Sequence, residues 1–491
     1  MRWLSLSNYS PDSLPPVDAQ PILSVEAFRV EVGGEKDGGS KLSGLTLVGS
    51  GWHPALFRSE AEALVGPVGF VHPRVVVTTS TDEIALNRLS RSALVDEVLC
   101  NAEHSEVVEP ENIIQRIVDW AKQNLPEGSF AVRVNVIGSS LAGFSRSEIA
   151  QNVGAGVFGE SHPVDLENPD NEIVVFLAGP EDPPNHPDPL YLSPPMIIWG
   201  LKQKNWQRSG WGGRSPTDRP FFQPVSLEPR LARLMISLGH RSDSEPTTVI
   251  DPFCGTGGIA IEAMLAGLNV LASDLDPKMV KGTEENLQWV SEDLCSGYSA
   301  TWDVQESGVG LTPDVWGKIS GAIFAFDPPY GRNAWKSDDG YQLFLKACSA
   351  ARTIDHSGSL CTLLPTDPAI LKDNSDEPID YLVMGKPWSK VADEMLDRGW
   401  KVVLMAPVKV HRSLARLLVV AHPAWHVHSA AFRLRLQHID HAETASAPIR
   451  GADDDGAITD LRDRAHLSVV GNLGPRADLP GVLHRTRFPS R

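Results

Sequence analysis

The stretch "IFAFDPPYGRNAW" (residues 323–335) runs an apolar segment straight into Asp327, Pro328, Pro329, Tyr330 and Gly331. It ends in a carboxylate, and two prolines then stop any strand or helix. The chemistry this suits is activation of an amine attached to a base, whose lone pair is delocalised into the ring. Accepting hydrogen bonds from both amine protons draws the nitrogen toward a tetrahedral shape and exposes that lone pair. Asp327 supplies one acceptor and the carbonyl of Pro328 another, while Pro329 holds Pro328 extended and fixes where its carbonyl points. Tyr330 offers a flat face for stacking, and Gly331 relieves crowding behind it. Such an arrangement is electrostatics set in advance for positive charge developing on nitrogen, and Asp327 can also take the departing proton. An isolated Asp-Pro-Pro reads first as a strand-ending turn of the common Asp-Pro type, so the rest of the chain has to decide.

A second motif, "VIDPFCGTGGIAIEA", closes an apolar strand with Asp251, turns through Gly255, Gly257 and Gly258, and opens a helix near Ile259. Glycines let a ligand approach the backbone, and a helix start offers unpaired N–H groups. A phosphate could use such a loop, but the P-loop lysine and the G-x-G-x-x-G spacing are both missing, and Asp251 would repel an anion. The next strand ends in "SDLDPKM", where Asp274 is placed to hold the two hydroxyls of a ribose; Asp276-Pro277 then reads as a helix cap. A glycine turn, a ribose-binding acid and no phosphate grip suit a nucleoside that carries a cation, S-adenosylmethionine. Phe253 and Thr256 belong to the same loop, and Asp303 in "ATWDVQ" is a candidate for the adenine amino group or, equally, a turn-capping acid.

The elements that must position these residues follow from periodicity. From residue 247, "TTVID", "NVLASD", "GAIFAFD" and "LCTLLP" alternate with helical patterns such as "IAIEAMLAGL" and "YQLFLKACSAAR", the sign of a parallel sheet covered on both faces. "KVVLMAPVKV" and "LARLLVVAHP" are joined only by "HRS", too short for a parallel crossover, and must form a terminal antiparallel hairpin. The N-terminal half mixes strand-like runs ("GLTLVG", "RVVVTTS", "FAVRVNVIG", "EIVVFLAG") with helical ones ("SEAEALVG", "ALVDEVL", "NIIQRIVDWAKQ", "SRSEIAQNVGAGVF"), suggesting one or two small α+β units. Residues 180–195 hold seven prolines and read as a stiff connector.

The chain has 491 residues and a net charge of −18, which at first argues against a nucleic-acid partner. Charge is local, however: residues 199–221 carry Lys202, Lys204, Arg208, Arg214 and Arg219 against Asp218, with three tryptophans between them. That composition fits RNA, or equally a packed inter-domain linker with core tryptophans. Arg133 and Asp170 divide in the same way between RNA contact and a structural ion pair. The five cysteines form no CxxC pair, which argues against a cysteine zinc site and for free thiols in a reducing cytosol; no metal is expected. No signal peptide and no run of about 18 apolar residues is visible, so the expectation is a cytoplasmic protein without a membrane partner.

"DPFCGTGG…SDLD…DPPYG" resembles class I S-adenosylmethionine-dependent methyltransferases that act on base amino groups. The upstream "RSGWGGRSPTDRPFFQPVSLEPRLARLMISL" (208–238) is similar to the segment before the catalytic domain of archaeal and eukaryotic tRNA guanine-N2-methyltransferases acting on guanosine 10. Residues 130–177 are similar to a THUMP domain, an RNA-binding module, and "LFRSEAEALVG…LNRLSRSALVDEVL" resembles its ferredoxin-like companion. The resemblance implies a Rossmann-like α/β domain with a seven-stranded sheet ending in the hairpin, preceded by α+β ferredoxin-like and THUMP domains. The boundaries expected are a 1–45 extension, a ferredoxin-like unit at 46–108, THUMP at 109–180, a linker at 181–228, the methyltransferase at 229–425 and a flexible 426–491 tail. It implies that Asp327, Pro328, Pro329 and Tyr330 hold the guanine amine and that Asp251, Phe253, Gly255, Thr256, Gly257 and Asp274 surround the cofactor. The product would be N2-methyl- or N2,N2-dimethylguanosine in tRNA. Guanosine 6, a ribosomal RNA amine and a non-catalytic RNA-binding role stay open beside it. DNA adenine methylation shares the catalytic tetrapeptide but leaves the THUMP-like region unexplained, so DNA is not an expected partner. Some relatives work with a small zinc-binding activator subunit, and the resemblance leaves that partner open.

Overall fold

The computed structural model describes residues 40–42, 44–180, 194–208, 210–224, 226–294, 300–329, 338–367, 380–411 and 414–424. The tail, residues 181–193 of the proline-rich run, Tyr330 and most of the N-terminal extension therefore lie outside the described residues.

The strand-helix alternation from residue 247 builds the expected sheet. Strands Trp302–Glu306, Asn269–Asp274, Thr248–Asp251, Ala322–Phe326 and Ser359–Thr366 lie side by side in that order, all parallel. The terminal hairpin, Trp400–His411 with Leu414–Pro423, closes the sheet by pairing antiparallel to Ser359–Thr366. The seven principal strands are joined by two short ones the sequence does not announce, Leu382–Val383 and Lys386–Pro387, giving nine among the described residues. Val249, Ile250, Phe324, Phe326, Leu360 and Leu363 are all buried, as strands covered on both faces require.

The N-terminal half departs from expectation in three ways. Its strands form a single eight-stranded sheet, so the two units expected at 46–108 and 109–180 share one hydrogen-bonded scaffold. The strand that joins them, Met196–Lys202, lies in the stretch read as linker; it pairs with Val95–Glu106 on one side and Asn171–Ala178 on the other. "MIIWGL" was an apolar run in plain view, but the prolines just before it made the whole stretch look like a connector. Third, "ALVDEVL" is not helical: Val95–Glu106 is a twelve-residue strand. Its period-2 pattern is broken by register shifts at Val48/Gly49 and at Cys100/Glu103, where Asn101 takes φ 51°. Bulges of this kind bring buried residues to i, i+3 and i+4 spacing, which imitates a helix.

The two halves are packed together by buried polar contacts. Helix Pro54–Val65 lies against helix Pro229–Gly239, and one apolar core runs through both. Glu60, fully buried on the first helix, accepts hydrogen bonds from the Ala93 and Leu94 amides at 2.6 and 2.8 Å and from the hydroxyls of Ser92 and Ser237. Burial raises the Glu60 pKa, and those donors pull it back. Beside it, Arg88 and Arg91 reach Glu245 at 2.8 and 2.7 Å, and burial together with Arg91 presses His240 down to about 3.

Candidate functional site

Strand order places the site. The chain leaves Thr248–Asp251 toward Asn269–Asp274 on one side and later returns to Ala322–Phe326 on the other, so a crevice opens between the carboxyl ends of these strands. Asp251, Asp274 and Asp327 stand at those three ends. Ala272 pairs with Asp251 and Phe324 with Ile250, which carries Asp274 and Asp327 slightly beyond Asp251.

The loop between them is held by its own amides. Gly255 and Gly257 adopt φ 52° and 77°, a region that resists side chains, and helix Gly258–Leu265 starts directly after. The Gly255 amide donates to Asp274 Oδ2 at 3.0 Å and the Asp276 amide to Asp274 Oδ1 at 2.9 Å, so one carboxylate ties both loops. An ionised carboxylate has about four acceptor sites, which leaves it capacity for hydroxyl donors. Asp251 is 2 % exposed and accepts from the Phe253 amide at 3.0 Å. Burial first, then the nearby Asp327 and Asp274, raise its pKa well above the usual carboxylate range, against the pull of that amide. A site that gathers three acids this closely is suited to a cation.

Phe253 meets the buried Phe326 edge-on at 5.6 Å, joining the loop to the strand that carries Asp327. Thr256 is buried and its hydroxyl bonds Ser226 at 2.9 Å, while Asn286 ties the carbonyls of Thr256 and Phe221. The "DRPFFQP" segment thus lies across the glycine loop. A side chain at Gly282 would collide with the Phe221 ring at 2.0 Å, and one at Gly258 would touch Arg219. Pro328 is buried and Pro329 exposed.

Asp303 does not join this group. It pairs with Leu271 inside its strand, three residues before Glu306, which is the partner of Asp274. Its carboxylate is taken by Gln305 at 2.5 Å and by the Trp316 indole at 3.1 Å. Three residues of strand are about 10 Å, so Asp303 lies well below the rim. An exposed apolar side chain at the rim on that side is Leu275, 71 % accessible, a residue hidden in the sequence by the capping motif around it.

The basic candidates divide. Arg214 and Arg219 are buried: Arg214 pairs with Glu262 at 2.7 Å, and Arg219 donates to the carbonyls of Arg214 and Leu227. They are structural cations, drawn inward by an acid on an otherwise apolar helix. Arg208 pairs with Asp96 at 3.0 Å, and Arg133 and Lys202 both reach Glu172 at 3.2 Å. These three keep side-chain exposures of 45 %, 40 % and 38 %, and Lys204 is exposed. Asp170 holds the Ser129 amide and hydroxyl, a loop tie. Arg133 also lines a groove of about 520 Å³ between strand Phe130–Ile137 and the start of helix Arg146–Val157, together with Asn135, Ser145 and Arg146.

One site residue was missed. Arg416, from the terminal hairpin, contacts Asp327 Oδ2 at 2.7 Å. Its only signal was a single cation inside the apolar run "LARLLVVA".

Known families and proteins resemble parts of this chain. Residues 216–380 match the RMKL-like methyltransferase domain family, and residues 113–179 match the THUMP domain family. The chain is 29 % identical over 346 residues to a tRNA (guanine(10)-N2)-dimethyltransferase of Methanothermobacter thermautotrophicus, covering 70 % of this chain and 85 % of that one. An enzyme of the same name from Pyrococcus abyssi is 27 % identical across 56 % of this chain and 74 % of its own length. Its counterpart from Methanocaldococcus jannaschii is 42 % identical over 205 residues, 41 % of this chain and 47 % of that one. Among the described residues, no helix is long and apolar enough to cross a membrane.

Proposed function

We infer that this chain, a methyltransferase carrying a THUMP domain, transfers a methyl group from S-adenosylmethionine to N2 of a guanosine in tRNA, at position 10 as in the relatives' names. The observation that carries the reading is the meeting of Asp251, Asp274 and Asp327 at the ends of adjacent parallel strands. Bound there, S-adenosylmethionine supplies a methyl group on a positively charged sulfur. Asp251 and the amides after it would hold the cationic part of that molecule, and Asp274 its ribose hydroxyls. Asp327 and the Pro328 carbonyl would accept the two N2 hydrogens of guanine and expose the lone pair; the stacking role expected of Tyr330 falls outside the described residues.

The test is direct. The purified chain is incubated with methyl-labelled S-adenosylmethionine and unmodified tRNA, which is then digested to nucleosides and mapped. N2-methyl- or N2,N2-dimethylguanosine at position 10 is expected; no N2-methylated guanosine would overturn the reading. Activity of the chain alone also answers whether a zinc-binding activator subunit is required.

Two expectations belong here. Asp274→Ala should weaken S-adenosylmethionine binding by roughly 10- to 100-fold in calorimetry, because it removes both the ribose acceptor and the tie that shapes the loop. The groove beside Arg133 and Arg146 offers cations and a helix start to a phosphate backbone. Arg146→Glu should raise the KM for tRNA about tenfold at low salt with kcat unchanged, and the difference should shrink as salt rises.

A further inference from the structure

We propose that Arg416 is a positioning residue for the amine-activating carboxylate, and that it keeps Asp327 ionised and aimed; this rests on the function proposed above. The geometry is specific. Strand Ala322–Phe326 stops at Phe326, opposite Thr362, while its neighbour continues from Leu363 to Thr366. Arg416 pairs with Pro365 on the far side of that neighbour and reaches back over its end to Asp327 Oδ2 at 2.7 Å. Both side chains are partly shielded, at 13 % and 21 % accessibility, so the contact lies in the wall of the crevice rather than on open surface.

The need for a cation here follows from what surrounds Asp327. Asp251 stands at the end of the adjacent strand and Asp274 one strand beyond, and both are acids. Those acids disfavour negative charge on Asp327, and a protonated carboxyl would turn one of its oxygens from acceptor into donor and weaken its hold on the amine hydrogen. A guanidinium from the opposite side offsets them and fixes one oxygen by a charge-assisted hydrogen bond. The terminal hairpin, which otherwise only closes the sheet, thereby becomes part of the active centre.

The test compares wild type with Arg416→Ala and Arg416→Lys. In protein with 13C-labelled aspartate carboxyls, assigned through Asp327→Asn, the Asp327 titration midpoint should rise by about one pH unit or more in Arg416→Ala and less in Arg416→Lys. This readout needs no substrate, so it stands or falls apart from the tRNA assay, in which an inactive wild type would overturn only the proposed function. In that assay Arg416→Ala should lower kcat by about 100-fold, with the acid limb of its pH profile displaced upward. The KM for tRNA and the affinity for S-adenosylmethionine should change less than about threefold, and Arg416→Lys should regain about a tenth of wild-type kcat. An unmoved Asp327 midpoint would overturn the proposal. So would kcat losses that merely track lost thermal stability and cofactor affinity, with lysine no better than alanine.

Discussion

Asp327→Ala should reduce methyl transfer at least about 1,000-fold in single-turnover assays while leaving S-adenosylmethionine affinity within several-fold of wild type. The asymmetry comes from where the side chain stands. Asp327 is at the end of strand Ala322–Phe326, on the substrate side of the crevice, while the loop that shapes the cofactor side is tied by Asp274. Removing Asp327 deletes the acceptor that strengthens as positive charge grows on nitrogen, so the loss appears in kcat. It also removes one of the charges that raise the Asp251 pKa, which offsets part of the cost of leaving Arg416 without its contact. Thermal stability should therefore move little. Asp327→Asn keeps one acceptor oxygen and should fall between, losing about 100-fold. A variant with alanine at 327 that retained a tenth of wild-type kcat would remove this carboxylate from the chemistry.

Much of this site was legible because its parts are short and their order is fixed by topology. A glycine loop after one strand, an acid after the next and Asp-Pro-Pro after another can only converge if the sheet is parallel, and the alternation of apolar runs with helical patterns says that it is. What could not be read depends on register and burial. Asp303 looks like a strand-end acid in "ATWDVQ", but pairing with Leu271 fixes it inside the ladder. Arg214 and Arg219 look like an RNA-facing cluster, and no local pattern reveals that Glu262 draws the first of them inward from another element. Arg416 reaches Asp327 from 89 positions along the chain, across an intervening strand, and such contacts leave almost no trace in a single sequence. The N-terminal sheet was hidden by the prolines before Met196–Lys202 and by its pairing with the distant Val95–Glu106.

The largest loss of stability is expected from Glu262→Ala. Glu262 is fully buried on helix Gly258–Leu265 and is held by two guanidiniums, Arg214 at 2.7 and 3.3 Å and Arg233 at 3.1 Å. Burial lowers the pKa of Arg233, and Glu262 opposes that shift while Arg233 stays a cation. Arg214 has further support from the Gly210 carbonyl and from Trp211, whose ring lies 4.9 Å from its guanidinium; Arg233 is 2 % exposed. Removing the acid leaves two cations facing each other in the interior, and the cost should be about 3–5 kcal/mol in denaturant unfolding. Arg214→Ala should cost less, because Glu262 keeps Arg233. Replacing all three by leucine or methionine should recover most of the loss, since an apolar cluster of similar volume needs no desolvation of charge. The consequence for function is positional: this helix begins at the glycine loop, so the Glu262→Ala protein should also bind S-adenosylmethionine more weakly, whereas Arg208→Ala, whose partner Asp96 is 26 % accessible and keeps Arg74 beside it, should cost far less stability and leave that binding unchanged.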